Sequence, residues 1–204
     1  MSTISGLEQR LRDLLRERSI TQGDFVLASG GRSTFYIDAR RTTMAAEGLA
    51  VIGALALERL ATLGWRPDVV GGLTLGADPV AFAIAAASRG AGRGRAVDAF
   101  SVRKEAKTHG TGQRIEGCFF AGAAVVIVED VITTGRSALE AIGAVEAAGV
   151  RVLGVLAVVD REEGGRAALE QAGHAVAALV SAILAFGISA PLASFTVPLI
   201  WAVA

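Results

Sequence analysis

Cysteine is almost missing from this chain of 204 residues: Cys118 stands alone, which excludes an internal disulfide framework and suits a reducing compartment. Net charge is missing too. Twenty basic and twenty acidic residues cancel, so no overall field directs the chain to nucleic acid or to a membrane surface. Residues 1–18 lack the unbroken apolar run of a secretory signal, and a cytoplasmic location is expected. Lysine is scarce: only two of the twenty basic residues are lysines, Lys104 and Lys107, which draws attention to their neighbourhood. Finally, residues 175–204 carry no charge at all. That stretch is nominally long enough to span a bilayer, but Gly187, Pro191 and Pro198 interrupt it. A segment buried in a dimer, a membrane-associated tail and an altered reading frame all remain open for it. The length suits one domain, residues 1–174, with a sizeable core.

What is present centres on residues 124–137. Residues 125–128 are a β-branched run without a polar break, the pattern of a strand buried on both faces. Glu129 and Asp130 follow at its carboxyl end. Thr133, Thr134, Gly135, Arg136 and Ser137 then form a turn that opens into a helical pattern over 138–148. In open parallel sheets, ligands bind beyond the carboxyl ends of the strands. A helix start there offers unpaired N–H groups to a phosphate, and the hydroxyls of Thr133, Thr134 and Ser137 add donors. Gly135 allows close backbone approach. The two carboxylates would repel that phosphate, but they can accept hydrogen bonds from sugar hydroxyls or from the waters of a metal. A phosphorylated sugar satisfies both halves of the turn. For an arbitrary Glu-Asp pair, capping a helix start fits equally well.

Elsewhere, residues 5–18 read as an amphipathic helix, with Leu7, Leu11, Leu14 and Leu15 on one stripe. Residues 25–38 alternate like a hairpin around a Ser-Gly-Gly turn, and 45–63 form a helix ended by Gly64. A strand over 68–73 runs into a loop, Thr74 to Gly76 and on to Pro79, that opens a helix over 79–88. After a strand over 97–102, Arg103, Lys104, Lys107 and His109 place four basic or titratable side chains within seven positions. A solvated charged loop, an exposed helix start and a lid over a polyphosphate all fit this cluster. Residues 115–117 return the chain to the sheet. Residues 151–160 form another buried strand, and Arg161 follows at the same sheet edge. There it could grip a carboxylate bidentately or pair with Asp160 or Glu162. A short helix over 166–172 follows.

The string Glu129-Asp130-Val131-Ile132-Thr133-Thr134-Gly135 after an apolar strand resembles the phosphoribosyl-pyrophosphate (PRPP) motif of type I phosphoribosyltransferases. Residues 24–172, about three-quarters of the chain, look like an orotate phosphoribosyltransferase. The discriminating piece is Arg103-Lys104-x-x-Lys107-x-His109-Gly110, which purine-salvage relatives do not share. The resemblance implies an α/β fold: a central, mostly parallel sheet flanked by helices, a small N-terminal hood (about 1–44) and a flexible lid loop (103–114). It implies transfer of ribose 5-phosphate from PRPP to orotate, giving orotidine 5′-phosphate and pyrophosphate. The enzyme would be a magnesium-dependent homodimer whose lid reaches into the neighbouring site, with Mg²⁺ held by PRPP and waters rather than directly by side chains. Residues Glu129, Asp130, Val131, Ile132, Thr133, Thr134, Gly135, Arg136 and Ser137 would bind the ribose and 5-phosphate. Arg103, Lys104, Lys107 and His109 would bind the pyrophosphate, and Thr133 and Arg161 would bind orotate. Lys104 and Asp130 would be the catalytic pair. Many family members have a lysine where Ala28 and Gly76 stand here, so phosphate binding would rest more on the lid and on backbone amides. A purine phosphoribosyltransferase and a non-catalytic PRPP-sensing regulator are the competing readings.

Overall fold

The computed structural model describes residues 3–26, 32–90, 96–105 and 114–181. The first helix, α1 (Thr3–Arg18), buries Leu11, Leu14 and Leu15 completely, as its leucine stripe predicts. An antiparallel pair follows, β1 (Ile20–Val26) and β2 (Arg32–Ile37), and forms a separate two-stranded sheet. A one-turn helix, α2 (Arg40–Thr43), leads into α3 (Ala46–Thr62). The hairpin's exit is tied down by polar contacts: Asp38 N–H donates to the Ser19 carbonyl at 2.8 Å, and the Ser19 and Thr42 hydroxyls bond at 2.7 Å. Thr42 Oγ1 also donates to the Leu14 carbonyl at 3.2 Å, so the buried hydroxyls do not go unpaired.

The remaining elements build the main sheet. Strand β3 (Val69–Leu73) leads into α4 (Ala77–Gly90), and β4 (Asp98–Val102) is followed by β5 (Ile115–Gly117). Then come β6 (Ala124–Ile132), α5 (Arg136–Glu146), β7 (Arg151–Asp160), α6 (Gly165–Gln171) and β8 (Val176–Ser181). The strand order is β5-β4-β3-β6-β7-β8, parallel throughout except for β5 against β4. Successive residues of β6 serve opposite faces. Val126 and Val128 join the core beneath α1, α3 and α4, while Val125 and Ile127 join the core beneath α5. This is why its sequence is continuously apolar rather than alternating.

Several bounds differ from the sequence expectation, among them β1, which starts at Ile20 rather than at 25. β6 does not stop at the apolar run: it pairs with β7 as far as Ile132 opposite Asp160, so Glu129 and Asp130 lie inside the strand. The last helix begins and ends one residue earlier than expected, and α5 two residues earlier. The sheet also extends into the uncharged segment that begins at 175, where Val176–Ser181 pairs with β7 as an edge strand. The rest of that segment, 182–204, lies outside the described residues. Among the described residues no helix is long and apolar enough to cross a membrane.

Candidate active site

The carboxyl ends of the parallel strands converge on one cavity of about 600 Å³. Residues 73–76 enter it after β3, Lys104 after β4, Glu129 to Thr133 from β6, Ser137 from the start of α5 and Arg161 after β7. Its outer wall is the end of the hairpin, from Tyr36 to Arg40. Such convergence is the expected place for a ligand in an open α/β sheet.

Glu129 is the most constrained group in it. Its side chain is only 6% exposed, and its Oε1 atom is buried without a hydrogen-bond partner. Burial, with a smaller repulsion from Asp130, pushes its carboxyl up to about 8. Burial also raises Asp130, against the pull of the Val131 N–H, which donates to Asp130 Oδ1 at 2.8 Å. Arg40 faces the pair from the hairpin side and is held by Asp38, whose Oδ1 accepts from its Nε at 2.8 Å.

The turn after β6 depends on a glycine. Gly135 precedes α5 with φ of 78°, and a Cβ there would come within 2.9 Å of the Gly165 carbonyl. Glycine is therefore demanded twice, by the left-handed backbone and by the close packing of α6 against the turn. A second close approach occurs at Gly76, where a Cβ would stand 2.7 Å from Asp130 Oδ1. The loop after β3 thus lies directly against the carboxylate. A side chain at position 76 could enter only if Asp130 moved.

Arg161 is 9% exposed and pairs with Glu163 at 2.7 Å. Asp160, one of its expected partners, is occupied otherwise: it accepts from Arg166 Nε at 2.8 Å and from Glu162 N–H at 2.9 Å. Those bonds fix the turn that carries Arg161, and the Arg161 N–H donates to the Ile132 carbonyl at 3.0 Å.

Of the residues singled out from sequence, the cavity brings together Lys104, Glu129, Asp130, Val131, Thr133, Ser137 and Arg161. Ile132 is buried in the core beneath α5, and Gly135 is buried against α6. Thr134 and Arg136 are exposed on the turn but do not line the cavity. Arg103 points away to Glu116, whose Oε1 accepts from its Nη1 at 3.2 Å. Lys107 and His109 lie outside the described residues. Sequence reasoning did not single out Arg40 as a site residue. Its one usable signal was its position two residues beyond the hairpin motif that ends at Asp38.

A doubly flanked parallel sheet with a PRPP-type turn at its carboxyl edge defines a type I phosphoribosyltransferase, and the phosphoribosyl transferase domain family matches residues 43–172. Within that class, the orotate phosphoribosyltransferase of Mycobacterium avium is 49% identical over 165 residues, covering 81% of this chain and 88% of its own. A solved orotate phosphoribosyltransferase of Mycobacterium tuberculosis superposes with a TM-score of 0.77 at 42% identity, covering 88% of this chain and 99% of that one. Another structure of the M. tuberculosis enzyme, in complex with PRPP, matches with a TM-score of 0.74 at 40% identity, covering 89% and 99% respectively. The chain belongs to the orotate phosphoribosyltransferases.

Proposed function

We infer that this protein transfers ribose 5-phosphate from PRPP to N1 of orotate, releasing pyrophosphate. The observation that carries the reading is the meeting of the buried acid pair, Thr133 and Ser137 of the turn after β6, Lys104 and Arg161 in one cavity of a chain from this family. The α5 N-terminus with Thr133 and Ser137 receives the 5-phosphate on N–H and O–H donors. Glu129 and Asp130 sit one step back along the strand and accept from the ribose hydroxyls. The unpartnered Oε1 of Glu129 supports this, because a buried polar atom without a partner is costly until a ligand supplies one.

Magnesium would sit beside the same acids, its shell formed by PRPP oxygens and by waters that donate to Glu129 and Asp130. The ion would neutralise diphosphate charge as the leaving group departs. The bond from C1 to the diphosphate oxygen breaks with its electrons going to the leaving group, and orotate N1 supplies the new bond to the cation-like carbon. No side-chain nucleophile is required. Lys104 meets the charge that develops on the pyrophosphate, and Arg103, Lys107 and His109 complete that role from the same segment. Arg161 and Thr133 orient orotate, with the guanidinium on its carboxylate.

The protein works as a homodimer in which the 103–114 segment of one subunit reaches the site of the other through Lys107 and His109, while Lys104 lines the cavity of its own subunit. Large apolar side chains left open, Leu75 lining the cavity at 65% and Phe82 on α4 at 54% exposure, support a subunit interface. A purine phosphoribosyltransferase is disfavoured by the two-lysine segment, and a PRPP-sensing regulator by the intact acid pair and Lys104. The test is loss of orotate absorbance with PRPP and Mg²⁺, with orotidine 5′-phosphate and pyrophosphate identified as products. Turnover that persists after chelation of every divalent ion would contradict the metal's part.

A further inference from the structure

Neither Arg114 nor Glu140 lines the site cavity, yet together they tie two of its walls. The segment bearing Lys104 leaves the sheet where β4 and β5 end, with Val102 opposite Ile115 as the last ladder pair. One step further out, Arg103 and Arg114 hold each other twice. The Arg103 N–H donates to the Arg114 carbonyl at 2.9 Å, and Arg114 Nε donates back to the Arg103 carbonyl at 2.9 Å. The residue immediately before Lys104 is therefore gripped at both of its backbone polar groups by one partner. Arg114 is itself held from the far side, because its Nη2 pairs with Glu140 Oε1 on α5. Glu140 lies three residues after Ser137, on the helix whose first turn frames the phosphate site.

We propose that Arg114 is a positioning residue for pyrophosphate release: through Glu140 it sets Lys104 at a fixed place relative to the phosphate-binding turn. The proposal rests on the reading of Lys104 and of the turn given above. Chemistry explains why arginine is needed. A guanidinium presents several donors in a rigid fork, so it can serve a carbonyl with Nε and a carboxylate with Nη2 at once. A lysine ammonium can pair with Glu140, but it cannot reproduce that planar bridge. Both side chains are about one-third exposed, so the pair itself contributes little to global stability. An effect on turnover without an effect on melting is the signature to look for.

The experiment compares Arg114→Ala, Arg114→Lys and Glu140→Gln with Lys104→Ala, measuring kcat, both KM values and the melting temperature of the full chain. Displacement of the Lys104 ammonium predicts a fall in kcat of roughly ten- to hundredfold for Arg114→Ala, with KM for orotate and the melting temperature nearly unchanged. Arg114→Lys and Glu140→Gln should each fall part of the way, and they carry the comparison if Arg114→Ala does not fold. The deciding variant is Lys104→Ala combined with Arg114→Ala. If Arg114 acts through Lys104, the double variant is no slower than Lys104→Ala alone. A full further loss on that background, or a kcat within twofold of wild type for all three variants, would overturn the proposal. If Lys104→Ala itself turns over normally, the reading of the site fails first, and this inference fails with it.

Discussion

At the scale of single residues, the account turns on where charge is buried and which partner relieves it. Glu129 carries a proton in the folded protein at neutral pH, since its carboxyl is raised to about 8, whereas the unfolded chain releases that proton near the ordinary 4.5. The folded state thus binds more protons across that window. Stability from this group is fully present below about pH 4.5 and is lost as pH rises towards 8, at a slope of up to about 1.4 kcal/mol per pH unit. Glu129→Gln removes the titration, so the stability difference, variant minus wild type, should grow from pH 5 to about pH 8 and level off above it. Urea unfolding at a series of pH values checks this, and parallel curves would contradict it. Lys104→Ala should lower kcat far more than it weakens substrate binding, because its charge is required as pyrophosphate leaves. Steady-state kinetics with direct PRPP binding separates the two, and an unchanged kcat would remove Lys104 from the catalytic set. Arg161→Ala should raise KM for orotate and spare KM for PRPP. A lost charge-assisted hydrogen bond costs roughly 1.5–3 kcal/mol, or about ten- to hundredfold in binding. A shift confined to PRPP would move Arg161 to the phosphate side.

At the scale of elements, β6, its turn and α5 act as one unit, and two glycines in it should respond oppositely to the same change. Gly135→Ala forces a side chain into a left-handed backbone and against the Gly165 carbonyl, at a cost of about 1–3 kcal/mol. Gly143 lies mid-helix in α5 with nothing within 4 Å of an added Cβ, so Gly143→Ala should stabilise by about 1 kcal/mol. Thermal melts should move down and up by a few degrees respectively, and PRPP affinity should fall only for Gly135→Ala. Much of this unit was legible in the sequence, since the apolar run, the paired acids and the hydroxyl-rich turn each carry a local signal. The continuation of β6 through Glu129 and Asp130 was not. Acids are poor strand formers, and only the ladder to β7 holds them extended. The same limit hid β8: a uniformly apolar stretch has no period to read, and Val176–Ser181 becomes a strand because an edge of β7 is available. α2 is a single turn anchored by Ser19 and Thr42, a contact across twenty-three positions that no local pattern announces. Lys104 and Arg161 could be placed at the site because each comes within two residues of a strand's end. Arg40 could not, since it arrives from a different sheet.

At the scale of the whole molecule, the proposed sharing of the lid makes a prediction that single subunits cannot mimic. Lys107→Ala, in the part of the lid proposed to cross, and Asp130→Asn should each be strongly impaired alone. If Lys107 serves the partner's site, a mixed dimer holds one site with both defects and one with neither. Activity should therefore reappear when the two variants are unfolded, mixed and refolded together. A mixture as inactive as its parents, with heterodimers present, would end the shared-site arrangement.

The most direct measurement of the central claim is a comparison of acceptor bases under one set of conditions. With PRPP and Mg²⁺ in excess, the purified protein should consume orotate and form orotidine 5′-phosphate, while uracil, adenine and hypoxanthine leave PRPP intact. The roles proposed for Arg161 and Thr133 call for a carboxylate-bearing pyrimidine, and only orotate among the four has one. Equal or faster turnover of any of the other three bases, or no turnover of orotate by folded protein that binds PRPP, would contradict the account.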